Sequence, residues 1–237
     1  MRVVLNNELE DLLYVFRDRF DAGQKLAAWL KSLGVSADVV YAIPAGGVPV
    51  GLTVARALNT PLDVLVCRKL LIPWNREAGF GAVAPDGAYF YDEALALSLA
   101  LTPQEIKHSI EEQLSEIKRR LSVFRCGEEY QPLSGKNVLV VDDGVAAGFT
   151  MIAASRFLKK MGTSRVIVAD PTCHVDSAYR VAREASELYC LNPRSGLIYA
   201  VADAYIEWRD LEDRDVLEVL REAKRLGLLA FKAECIE

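Results

Sequence analysis

Apolar positions along the chain fall into two alternating periods. Segments 38–43, 62–67, 138–141, 165–169 and 188–191 are short aliphatic or β-branched runs with little polar relief, the pattern of strands buried on both faces. Between them the period is close to that of a helix. Segment 16–33 carries Leu26, Ala27, Trp29, Leu30 and Leu33, with Gly34 just beyond as a stop. Helices are predicted likewise over 48–58, 152–161, 175–184 and 213–226. Thr102-Pro103-Gln104-Glu105 is a capping box with proline at the first helical position, so a long helix is predicted over 103–124. Strands alternating with helices imply an α/β fold, a doubly wound and mostly parallel sheet with helices on both faces. No repeat or low-complexity linker interrupts the 237 residues, and the expectation is one domain over 1–237.

Chemistry concentrates in NVLVVDDGVAAGFTM, residues 137–151. An apolar strand ends in two adjacent carboxylates, Asp142 and Asp143, which places them at the edge of an open α/β sheet where ligands bind. Gly144, Val145, Ala146, Ala147 and Gly148 then form a loop of mostly small residues through which backbone N–H groups can approach an anion. Phe149 and Thr150 follow at the start of the next helix, where orphan amides and the helix dipole favour negative charge. An ordinary strand-to-helix turn could look similar. Two neighbouring carboxylates, however, are costly to desolvate without cations or donors, and one would suffice for a cap.

The segment resembles the phosphoribosyl pyrophosphate (PRPP) motif of type I phosphoribosyltransferases. That resemblance implies that Asp142 and Asp143 face the ribose hydroxyls as catalytic residues and hold Mg²⁺. Residues 144–150 would bind substrate, with Ala146, Ala147, Gly148, Phe149 and Thr150 cradling the 5-phosphate. Ala147 stands where the family usually has threonine, so one phosphate-binding hydroxyl is missing. The loop Ile43-Pro44-Ala45-Gly46-Gly47-Val48 is similar to the family's pyrophosphate loop, with Ala45 where relatives often carry arginine. Arg68 and a catalytic Lys69 would meet the pyrophosphate, and a lid over about 70–81 would close above it. Hood elements around 191–209, with Tyr199 and Tyr205 as stacking residues or hood core, and a terminal helix around 213–226 complete the resemblance. The opening FRDRFDAGQKLAAWL also resembles a subgroup that begins Phe-x-Asp-Arg. The implied reaction is displacement at C1 of PRPP by a nitrogen acceptor, a purine-like base first, with release of pyrophosphate from a Mg²⁺-dependent homodimer. A regulatory protein that binds PRPP without efficient chemistry is the alternative kept open by Ala45 and Ala147. A phospho-acceptor receiver domain also carries an acidic pocket after an apolar strand, but that strand should lie near a domain's start.

Composition narrows the partners further. A net charge of −5 gives no electrostatic case for nucleic acid or an anionic membrane, so a polyanionic donor needs local cations. No apolar run reaches the length of a membrane span, and the acidic opening is unlike a secretory signal, so a cytoplasmic setting is expected. Cys67, Cys126, Cys173, Cys190 and Cys235 show no metal-ligand spacing and are expected as small buried hydrophobes in a reducing compartment, disulfides being the exception of a hyperthermophile source. His174 is expected at a helix N-terminus and His108 on a solvated face. Ser155 and Ser177 lack triad partners, and neither a P-loop nor a dinucleotide fingerprint occurs.

Overall fold

The unrelieved valines of the strand preceding the acids reflect a sheet covered on both sides. In the computed structural model, which describes residues 1–236 and only the backbone at 76 and 77, this strand, β7 (Asn137–Val141), lies inside a six-stranded parallel sheet. Its neighbours are β2 (Val39–Ala42) and β8 (Arg165–His174). β9 (Glu187–Arg194) and β1 (Arg2–Leu5) extend the sheet on one side and β3 (Leu62–Val64) ends it on the other, in the order β1-β9-β8-β7-β2-β3. Leu139 and Val141 point into one core and Val138 and Val140 into the other, so both faces of the same strand are dry.

Helices α1 (Arg19–Ser32) and α2 (Gly47–Leu58) cover the first face, joined by α4 (Pro103–Arg125) and α7 (Asp213–Arg225). Helices α5 (Phe149–Lys160) and α6 (Val175–Ala182) cover the second. The doubly wound α/β arrangement is therefore present, with boundaries set by caps. The α4 capping box is formed on both sides, Glu105 N–H donating to Thr102 and Glu105 accepting from Thr102 N–H. Helix α1 starts at 19 rather than 16 because Asp18 is its N-cap, accepting from Asp21 N–H at 2.8 Å.

Several expectations need correction. Strand β3 stops at Val64, short of the expected 67, while β8 and β9 continue to His174 and Arg194 through Pro171 and Pro193, past the expected ends at 169 and 191. The first residues of the segment expected as the hood, 191–194, are therefore the end of β9. Segment 70–81, expected as a lid loop, is folded into an antiparallel sheet of β4 (Arg68–Ile72), β5 (Asn75–Val83) and β6 (Tyr89–Tyr91), followed by α3 (Glu93–Ser98). Its glycines meet neighbouring backbone: a Cβ on Gly81 would collide with Phe90 and Tyr91, so a residue type that reads as loop is here a condition of close strand pairing. Among the described residues only Cys67 remains an unpaired buried thiol; Cys126 pairs with Cys235 and Cys173 with Cys190 across β8 and β9.

Beyond α7 the chain returns to the sheet. Leu62 N–H donates to Leu228 O at 2.7 Å and Ala230 N–H to Leu62 O at 2.9 Å, so residues 228–230 run along β3. Beneath them Arg125 grips Asp63 with a two-pronged ion pair at 2.8 and 3.1 Å, almost fully enclosed, its guanidinium 4.0 Å over the Tyr130 ring.

Candidate active site

From β2 the chain moves outward to β3, and from β7 it moves the opposite way to β8 and β9. The carboxyl ends of β2 and β7 therefore flank the point where strand order reverses, the position in such sheets where a crevice opens. The loops leaving these strands lie side by side, Ile43 N–H donating to Val141 O at 2.9 Å. They line a cleft of about 600 Å³ together with Arg68 and Lys69 at the start of β4, residues 142–151, Arg120 of α4 and the hood residues 200–202 and 208. Most of the residues singled out by the sequence thus meet in one place.

Close approach of the two loops requires glycine. A Cβ on Gly46 would overlap the Asp143 carboxylate and fall 3.1 Å from Arg19 Nε, and one on Gly47 would fall 2.8 Å from Asp142 Cα. Gly46 nevertheless has an ordinary right-handed backbone, φ −62°, so the demand is for space and not for conformation. The Pro44–Ala45 peptide in this loop is cis.

The acids are held by a chain of donors. Asp142 N–H donates to Asp170 Oδ1 at 2.8 Å, Asp143 N–H to Asp142 Oδ1 at 2.9 Å, and Arg19 Nε to Asp143 Oδ2 at 2.7 Å. Tyr205 OH donates to the Asp143 carbonyl at 2.6 Å. Burial pushes the Asp142 carboxyl well above the usual range, and the nearby charges of Asp143 and Asp170 push it further. Burial raises Asp143 as well, but Arg19 opposes the rise. Among the described residues no protein group donates to Asp142 Oδ2 or Asp143 Oδ1, which leaves one oxygen of each acid for a ligand.

The phosphate loop divides into used and available amides. Val145, expected to bind substrate, donates to Thr172 O at 2.9 Å and accepts from His174 N–H at 3.0 Å, bridging to β8, so its backbone is already committed. The Phe149 ring is buried against Phe90, 6.0 Å between centroids, and offers the cleft only its backbone. By contrast, the amides of Gly144, Ala146, Ala147 and Gly148 donate to no acceptor among the described residues. Gly148 has φ +81° and opens α5, whose first-turn amides, Thr150 among them, lack helical partners. The loop thus presents a run of N–H groups at a helix N-terminus, an anion site by construction. Arg180 approaches it, 3.5 Å from Ala147 O.

On the opposite side Arg68 is braced by Gln113 of α4 at 3.2 Å, and burial together with Arg120 nearby lowers its affinity for a proton. Of the tyrosines expected in the hood, Tyr205 is core, packed on Phe16 at 5.5 Å, and Tyr199 meets His174 edge-on outside the cleft. Trp208 is the aromatic ring that lines it. Arg19, Asp170, Arg120 and Trp208 carry no local motif signal: Arg19 meets Asp143 across 124 positions, and only the Phe-x-Asp-Arg resemblance touched it. His108 is solvent-exposed, and His174 is the N-cap of α6.

Comparison with known proteins agrees with this geometry. The model of the phosphoribosyl transferase domain matches residues 102–191. Two Mycobacterium tuberculosis proteins, from strains CDC 1551 / Oshkosh and H37Rv and provisionally named phosphoribosyl transferases, are 37% identical over 211 residues, covering 89% of this chain and 47% of theirs. The chain therefore spans about half the length of these curated relatives. The crystal structure of TT1426 from Thermus thermophilus is similar at 32% identity and a TM-score of 0.70, covering 91% of this chain and 99% of that one. With the paired acids and anion loop standing at the strand-order reversal, the chain belongs to the type I phosphoribosyltransferase family.

Proposed function

We propose that this cleft binds PRPP and transfers its 5-phosphoribosyl group to a nitrogen acceptor, a purine-like base first, with release of pyrophosphate. The observation that carries the reading is the pairing of two free carboxylate oxygens, on Asp142 and Asp143, with a loop of unpaired amides one turn away. A ribose 5-phosphate offers hydroxyl donors to the first and an anion to the second. Arg68 and Lys69 face the side on which a pyrophosphate would leave, and Gly46 and Gly47 let backbone come close to it. In the reaction the C1–pyrophosphate bond breaks as the acceptor nitrogen attacks C1, so positive charge grows on the ribose. The carboxylates of Asp142 and Asp143 favour that charge.

Mg²⁺ fits this donor set in one way. Among the described residues no cluster of three ligating side chains exists, so the protein alone is no metal cage. Mg²⁺ commonly keeps its waters and takes one or two carboxylates plus substrate oxygens, and Asp142 Oδ2 with Asp143 Oδ1 could supply that share. Bound there, the ion would neutralise the leaving pyrophosphate. The homodimer implied by the resemblance and the cytoplasmic setting expected from the sequence pattern belong to the same proposal.

The test is a titration with PRPP and Mg²⁺, read by calorimetry and by melting temperature, followed by a pyrophosphate-release screen across nucleobases and amines. Saturation at 100 times Kd should stabilise the fold by about 2.7 kcal/mol. An unmoved melting curve at millimolar PRPP would reject the reading. Tight PRPP binding with no turnover on any acceptor would select the regulatory alternative, which Ala45 and Ala147 keep open.

A further inference from the structure

Resting on that reading, we infer that Arg19 is a positioning residue that couples the donor acid Asp143 to the acceptor side of the cleft through Trp208. The guanidinium belongs to a residue only 8% exposed and meets four groups, the most distant being the Tyr205 ring at 6.0 Å. Nε donates to Asp143 Oδ2 at 2.7 Å, one terminal nitrogen donates to Arg209 O at 2.9 Å, and the carbon of the group lies 3.8 Å over the Trp208 ring. A second route joins the same ends. Tyr205 donates to the Asp143 carbonyl and packs on Trp208, ring centroids 5.1 Å apart.

The Phe-x-Asp-Arg segment builds this connection. Phe16 N–H donates to Ala204 O at 2.9 Å, Ile206 N–H to Phe16 O at 2.8 Å and Glu207 N–H to Arg17 O at 2.8 Å, so the length of chain before α1 is laced to the hood. Asp18 caps the helix and fixes the direction in which Arg19 leaves it. A planar fork held on three sides cannot follow one partner without shifting on the others. When a ribose hydroxyl donates to Asp143, it draws charge from the carboxylate that Arg19 holds and weakens a charge-assisted bond. Arg19 then settles differently against Trp208 and the Arg209 carbonyl. The hood is thereby altered by the donor before an acceptor arrives, and a planar acceptor meets a Trp208 face that depends on donor occupancy.

Trp208 reports this directly. With Trp29→Phe and Trp74→Phe as background, PRPP with Mg²⁺ should change Trp208 emission saturably, with the midpoint that calorimetry gives. Arg19→Lys keeps a cation for Asp143 but has neither the fork nor the planar stack, so PRPP affinity should stay within about tenfold while the emission change is lost. Arg19→Met should lose the emission change and also bind PRPP more than about tenfold more weakly. An unchanged emission response in Arg19→Lys with calorimetric binding retained would overturn the coupling, as would wild-type binding with silent Trp208. Absence of PRPP binding to the wild type by calorimetry would instead remove the donor site on which the inference rests.

Discussion

Replacing Gly46 by alanine isolates the geometry of the two loops. The backbone there, φ −62° and ψ −33°, suits alanine, so no conformational strain enters and the new methyl group is the whole perturbation. That methyl would overlap the Asp143 carboxylate and sit 3.1 Å from Arg19 Nε. Asp143 must rotate, and its 2.7 Å bond from Arg19 is lost or badly bent. A hydrogen bond to a charged group is worth about 1.5–3 kcal/mol, so the variant should lose up to about 3 kcal/mol of stability. With the carboxylate turned from the ribose, PRPP affinity should fall about 10- to 150-fold, a similar free energy expressed at about tenfold per 1.4 kcal/mol. Urea denaturation and calorimetric titration measure the two effects. A second background sharpens the result: Asp143→Ala removes the carboxylate that the methyl overlaps and frees Arg19, the far end of a flexible side chain, to move aside, so Gly46→Ala should then cost less than about 0.5 kcal/mol. Equal losses in both backgrounds, or wild-type PRPP affinity in the folded single variant, would refute the reasoning.

Three further outcomes are expected. Ala147→Thr should tighten ribose 5-phosphate binding by about 1.5–3 kcal/mol, because Ala147 is exposed beside unpaired amides and the Phe149 ring is turned into the core, leaving room for the hydroxyl; calorimetry measures it. Asp63→Asn strands the enclosed Arg125 cation and should destabilise the fold by about 3–5 kcal/mol in urea unfolding. Glu116, held near pH 2 by Arg119 and Arg120, lies below its ordinary 4.5, so its contribution is complete above the ordinary value and fades as pH falls through 2. Glu116→Gln should therefore cost about 1 kcal/mol at neutral pH after screening, and the gap in urea midpoints between it and the wild type should narrow by about pH 3.5.

What the sequence discloses follows from the range of the interactions. The parallel strands are legible because a strand enclosed on both faces has no polar alternation, and α4 because its cap is written within four residues, Thr102 to Glu105. Asp142, Asp143, Gly46 and Gly47 are legible because each loop is local. Strand β1 is not, since four residues at a sheet edge carry too little pattern, and the β4–β6 sheet is masked by glycines and charges that also suit loops. Arg19, Asp170 and the Cys126–Cys235 pair, 109 residues apart, depend on tertiary placement that no local period encodes. Val145, expected to bind substrate, lines the cleft, but its amide goes to Thr172 O of β8, a long-range bond that no local pattern encodes.

The two rims of the six-stranded sheet are formed by segments far apart in the numbering, residues 2–5 along β9 and residues 228–230 along β3. A parallel sheet with a bare rim is a template onto which another chain can add a strand. Here β3 is screened on that side by a length of backbone whose hold depends on Leu62, and which the Cys126–Cys235 crosslink fastens to the end of α4. Protection against edge-to-edge association is thus carried by residues that contribute nothing to the cleft. A chain clipped before residue 228 would keep every element of the cleft yet expose an adhesive strand, and its failure would appear as aggregation rather than as loss of the site.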